Sequence, residues 1–191
     1  MTDTTSSSQN LSIGSDDVIG FLLSQHQQVQ TLLEQVSASA GPARQQAFDD
    51  LREMLARHET AEEMILRPLT KKSVPQGETI ADDRFAEENE SKQQLAELEK
   101  LDVDSAEFTS MFATFKTAVL AHAQAEERLE FPALRKSVDA DTLKQAKGKL
   151  EKAEAMAPTH PHPMASSNAM NYVAGPFAAM LDRAKDAFSR S

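Results

Sequence analysis

Helical periodicity with no competing strand pattern is what most constrains this chain. Apolar residues recur at three- and four-residue spacing through most of its length, and no segment sustains an apolar–polar alternation. Ser15 reads as an N-cap, with Asp16 and Asp17 in the first turn of a helix whose stripe runs Ile19, Leu22, Val29, Leu33 and Val36. Gly41-Pro42 is expected to stop it. A second stripe follows: Phe48, Leu51, Leu55, Ile65 and Leu69, broken by Pro75 and Gly77. Phe85, Leu95 and Leu98 mark the inner face of a weaker third helix. Asp104 and Glu107 resemble a capping box that opens a fourth, with Phe108, Phe112, Phe115, Val119 and Leu129 in its stripe. A Lys-rich fifth helix is expected over about 141–156. Long helices joined by short breaks imply an all-α, antiparallel up-down-up-down four-helix bundle with an extra C-terminal helix.

The informative positions are polar ones inside those stripes. His58 and Glu62 fall in phase on the second helix, His122 and Glu126 on the fourth, and His26 lies between Leu22 and Val29 on the first. Residues four apart share a helix face, so each His/Glu pair points inward together. An unpaired buried carboxylate costs several kcal/mol. Mutual hydrogen bonds could satisfy such a cluster, but cations do so better. Imidazole with carboxylate suits iron, manganese or zinc. A single His-x-x-x-Glu pair in a Glu-rich helix carries little weight. Here the pattern is duplicated: His58-Glu59-Thr60-Ala61-Glu62-Glu63 leads to Pro68, and His122-Ala123-Gln124-Ala125-Glu126-Glu127 leads to Pro132, at the same offsets. Glu59, Glu63 and Glu127 are out of phase with the ligand positions. They read as solvent-facing, or as groups that orient the histidines.

Composition sets the bounds. A net charge of −10 opposes nucleic-acid binding. Cysteine is absent, which excludes disulfides and thiolate ligands. No apolar run approaches a membrane span. Residues 1–14 read as a solvated tail with no secretory character, so the expected location is cytoplasmic. Residues 15–136 are assigned to the bundle, 137–157 to the fifth helix, and 158–191 to a Pro/His-containing connector with a short amphipathic helix. That last helix (Phe177, Leu181, Ala184, Phe188) is expected to dock back on the bundle, and it is the segment through which a homodimer or protein partner would act.

The His26 helix and the two His/Glu motifs, each with Glu-Glu and a later Pro, resemble the hemerythrin-like HHE cation-binding family over roughly residues 16–136. The resemblance implies two iron ions, Fe2+ or Fe3+, joined by an oxo or hydroxo bridge. Glu62 and Glu126 would bridge them, with His26, His58 and His122 as terminal ligands. The family usually places a further His on the third helix. Here that stretch reads Glu87-Glu88-Asn89-Glu90-Ser91-Lys92, and Glu88 holds the inward position as a substitute ligand. A carboxylate there favours the ferric state and counts against simple reversible oxygen carriage. His160 and His162, in Thr-His-Pro-His-Pro, are further candidates to fold over the bundle end.

The function implied is binding of dioxygen, peroxide or nitric oxide, in sensing or oxidative-stress handling. The alternatives are a di-iron enzyme acting on peroxide or nitric oxide, iron storage, and a metal-free interaction bundle. No separate nucleophile or acid–base constellation appears, so the reading leans away from an enzyme.

Overall fold

The structure is a computed structural model that describes residues 16–157. Residues 1–15, the connector with His160 and His162, and the terminal amphipathic segment lie outside the described residues. Five helical rods follow in order. The first is α1 (Val18–Ala38). The second joins α2 (Gly41–Ala61), a π-helical turn (Glu62–Leu66) and α3 (Arg67–Ser73). The third is α4 (Gly77–Leu98). The fourth joins α5 (Ala106–Ala125), a second π-helical turn (Glu126–Glu130) and α6 (Phe131–Ser137). The fifth is α7 (Ala140–Met156), which packs on α1 and α2. The first four rods form the antiparallel bundle. None of the described helices is long and apolar enough to cross a membrane.

The helix starts differ from the sequence expectation by a residue or two. Asp17, not Ser15, caps α1, accepting from the Gly20 N–H at 2.8 Å. Ser105, not Asp104, caps α5 through the Phe108 N–H. Asp104 instead accepts from the Gly41 N–H at 2.9 Å across the bundle end. Gly41-Pro42 does not end α1 but opens α2, where Pro42 lacks only an N–H that the first turn would leave unpaired anyway. At the next corner Gln76 takes a left-handed φ of 60°, and Gly77 passes so close that a Cβ there would meet the Thr70 carbonyl oxygen at 2.1 Å.

The two π turns have the largest consequence. Each is closed by a backbone N–H reaching back five residues: Arg67 to the Glu62 carbonyl, and Phe131 to the Glu126 carbonyl. One extra residue per turn rotates the downstream face by about 100°. The helix phase that placed Leu129 in the core is therefore wrong beyond Glu126. Leu129 is 61% exposed, while Glu130, Phe131 and Leu134 turn inward. In the second rod Leu66, Arg67 and Thr70 are buried, and Ile65 and Leu69 are only half-buried.

The core divides in two. Val29, Leu33, Phe48, Leu51, Leu98, Phe108, Phe112 and Phe115 build one apolar half. Val18, Leu22, Leu66, Phe131, Leu134, Leu143 and Leu150 build the other, with α7 as its lid. Between them lies a polar layer formed by the inward side chains of all four bundle rods.

The phase shift predicts opposite outcomes for two neighbouring leucines. Leu129→Lys should change unfolding free energy by no more than about 0.5 kcal/mol, as an exposed site does. Leu134→Ala should cost about 2–5 kcal/mol in the same denaturant titration. Equal costs would mean that the second π turn does not form in solution.

Candidate metal centre

His26, His58, Glu62, Glu88, His122 and Glu126 all reach this layer. Their side chains are between 0% and 9% exposed as residues, so water supplies little of their solvation. They form two groups of four. His26, His58, Glu62 and Glu126 bring one ligand atom each within 4.8 Å of one another, and so do Glu62, Glu88, His122 and Glu126. Glu62 and Glu126 belong to both groups. His26 Nε2 lies 3.2 Å from Glu126 Oε2, and His122 Nε2 lies 3.4 Å from Glu126 Oε1.

Each imidazole is held by its far nitrogen. His26 Nδ1 is 2.8 Å from Glu127, His122 Nδ1 is 2.9 Å from Glu87, and His58 Nδ1 is 2.9 Å from Gln25 Oε1. Gln25 is held in turn by Glu154 of α7, at 2.5 Å. All three rings therefore aim Nε2 into the layer, the orientation that metal-binding histidines need. Glu127, which the sequence left between solvent and an orienting role, takes the orienting contact. Glu59 is buried and, with Glu63, pairs with Lys92.

Buried polar atoms test whether this donor set fits a cation. His26 Nε2, His122 Nε2, Glu62 Oε1, Glu88 Oε2 and Glu126 Oε2 are sealed from solvent and lack a hydrogen bond. Buried polar atoms are rarely left so. These five belong to the two groups of four and face inward, so the residues fit a bound cation.

Electrostatics push the groups apart. Burial, with the neighbouring Glu126 charge, raises the Glu62 carboxyl well above its ordinary range. Burial raises Glu88 to about 7, against the lowering pull of Arg67. Burial would raise Glu126 too, but His122 and Arg67 overcome it and hold that carboxyl well below the usual value. Burial drives His58 down to about 3, with the adjacent His26 adding to the effect. In His26 and His122 burial acts downward but is outweighed by the Glu126 carboxylate, so both are raised.

The residue that sequence reasoning missed is Arg67. Its guanidinium is 4% exposed and donates to four carboxylates. Nη2 reaches Glu88 Oε1 at 2.6 Å, Glu62 Oε2 at 3.2 Å, and Glu126 Oε1. Nη1 reaches Glu130 Oε2 at 2.6 Å, and Thr70 Oγ1 donates to Glu130 Oε1 at 2.5 Å. Straight α-helical counting from Glu62 steps over Arg67, and from Glu126 the apolar stripe continues to Leu129, three residues on, and not to Glu130, four residues on. The duplicated motif held a clue: aligned on its histidines, Arg67 falls opposite Phe131 and Glu130 opposite Leu66, so each copy carries one charge where the other is apolar. Both charges stand at or beside the residue preceding the motif's Pro.

The class is that of a helical bundle whose core carries two His/carboxylate groups that could hold a cation. The hemerythrin HHE cation binding domain profile matches residues 17–153, and the chain belongs to that family. A crystal structure of a hemerythrin HHE cation binding domain-containing protein from Mycobacterium kansasii superimposes with a TM-score of 0.65. It is 20% identical and covers 88% of this chain and 98% of that one, a likeness of fold. No curated protein sequence matches the chain.

The Thr70–Glu130 contact should matter most when no ion is bound. In the presence of a chelator, Thr70→Val should lower unfolding free energy by about 1–3 kcal/mol, the usual cost of leaving a buried acceptor unpaired. No change would place Glu130 in contact with solvent.

Proposed function

We propose that this protein holds two iron ions in the polar layer and uses them to bind a small oxidant or diatomic molecule, namely dioxygen, peroxide or nitric oxide, in sensing or oxidative-stress handling. The observation that carries the reading is the pair of four-residue groups sharing Glu62 and Glu126, with sealed nitrogen and oxygen atoms facing inward. Family membership supports a bound cation, and the mixed imidazole and carboxylate donors favour iron over calcium or magnesium.

In this reading Glu62 and Glu126 span the two positions, His26 and His58 serve one, and His122 and Glu88 serve the other. When bound, iron would supply the redox chemistry and the coordination positions that accept the ligand. The chain's own residues do the rest. Glu127, Glu87 and Gln25 fix the three rings, and the apolar halves above and below keep bulk water out. A cavity of about 20 Å³ abuts His26, His58, Glu88 and His122, with Val29, Leu55 and Val119 among its other walls. That is room for about one water-sized molecule. Its size favours a diatomic or peroxide ligand over an organic substrate.

Protein produced with iron should carry close to two ions per chain. His122→Ala should fall from two ions toward one, read by elemental analysis after desalting, with the circular dichroism of a folded bundle retained. Wild-type iron content in that variant would defeat the ligand set. Glu88→Ala should alter both metal content and near-ultraviolet absorption; an unaltered spectrum would return Glu88 to a purely structural role. Steady oxygen release from added peroxide would move the protein from binding to catalysis.

A further inference from the structure

We infer that Arg67 is a tethered cation held within the second of the two cation positions, so that the positions fill in order. The His26–His58 position takes its ion first, and the Glu88–His122 position fills only as the guanidinium gives way. This rests on the metal-binding reading above and deepens it.

The placement of the guanidinium carries the argument. Nη2 contacts Glu62, Glu88 and Glu126, which are three of the four side chains in the second group. An oxygen lone pair directed at an N–H is not directed at a metal ion. Glu88 Oε1 and Glu126 Oε1 are so engaged, and both lie within 4 Å of His122 Nε2. In the second group the guanidinium engages Glu88 through both Nε and Nη2, whereas in the first it touches only the shared Glu62 and Glu126 and neither histidine. There His26 Nε2, Glu62 Oε1 and Glu126 Oε2 are sealed and lack a hydrogen bond. Sealed, unbonded atoms face both positions, His122 Nε2 and Glu88 Oε2 included, so what separates the two is the guanidinium on Glu88: an ion reaching the first position meets it only at the shared carboxylates, whereas one reaching the second must also take Glu88 from it.

The same guanidinium has somewhere to go. Its Nη1 is anchored on Glu130, which belongs to neither group of four. Glu130 is fixed by Thr70 from the same rod as Arg67. Nη2 can therefore leave the shared carboxylates while Nη1 keeps its ion pair, and the buried charge never becomes unpaired. Leaving it unpaired would be costly.

The duplicated motif shows that the arrangement is specific to one half. Phe131, which matches Arg67 in the alignment of the two copies, stacks on the His26 ring at 5.6 Å between centroids, with an interplanar angle of 19°. One half thus pairs His26 with Phe131, and the other pairs Glu88 with Arg67. The exchange replaces an imidazole and an aromatic ring by a carboxylate and a guanidinium, and it introduces the competing charge on one side only.

The test is a calorimetric titration of the chelator-stripped full chain with Fe2+ under anaerobic conditions, with bound iron counted after desalting. Wild type should show two events, the second weaker by at least about tenfold, given the repulsion between close like charges. Arg67→Phe, which copies the other half, should bring the two affinities together. His26→Ala should remove the tight event, and Glu88→Gln the weak one. Should Arg67→Phe fold only when iron is present, Arg67→Lys keeps the charge, loses the fork and should narrow the gap. Two ions taken up by wild type with equal affinity would overturn the ordering, as would a second event unmoved in both Arg67 variants. A wild-type chain that takes up no iron would instead sink the metal-binding reading itself.

Discussion

Four glutamates buried against a single guanidinium are the constraint around which this structure is built. Glu62, Glu88, Glu126 and Glu130 come from three of the four bundle rods, and each is at most 1% exposed. Carboxylates that deep in protein cost several kcal/mol apiece unless they are paired. Arg67 pairs with all four at once, which its planar, five-donor fork permits and a lysine ammonium would not. The layer therefore cannot be loosened at one residue without exposing charge at another. The two apolar halves exclude the water that would otherwise solvate it.

The π turns are how the backbone reaches this solution. An uninterrupted α-helix would send Glu62 and Arg67, five residues apart, to different faces. One extra residue in the turn brings both inward, and the second turn does the same for Glu126 and Phe131. π turns cost regular hydrogen bonding and cluster at functional sites. Here both begin on a glutamate shared by the two candidate cation positions.

That device also explains what could be read from the sequence. As far as His58 and His122 the apolar stripes keep α-helical phase, and the residues they assign inward (Leu22, Val29, Leu51, Leu55, Phe112, Phe115) are buried. His26, Glu62, Glu88 and Glu126 lie on the same uninterrupted phase and were legible too. Beyond each Glu the phase slips, which is why Leu129 looked internal and Arg67 drew no assignment. A π turn has no composition signal of its own, since its residues are ordinary helix formers. Only the comparison of the two motif copies, with Arg67 against Phe131 and Leu66 against Glu130, marks the place where the rods stop being equivalent.

Glu88 is best understood through that inequivalence. The family usually places a histidine on the third helix, and a carboxylate there adds a negative charge to a layer that already buries Glu62, Glu126 and Glu130. On its own the change would raise the cost of the metal-free fold. Arg67 offsets it directly, at 2.6 Å from Glu88 and on the adjoining rod. The two departures from a symmetrical His/aromatic arrangement are therefore one structural change in two parts. In the proposed site a carboxylate ligand at Glu88 would favour the ferric state, and in the metal-free fold the guanidinium keeps that carboxylate compensated. On the other side the histidines are held by the shared carboxylates, by aromatic stacking and by orienting hydrogen bonds. A duplicated scaffold has in this way become two unlike halves around a shared pair of glutamates.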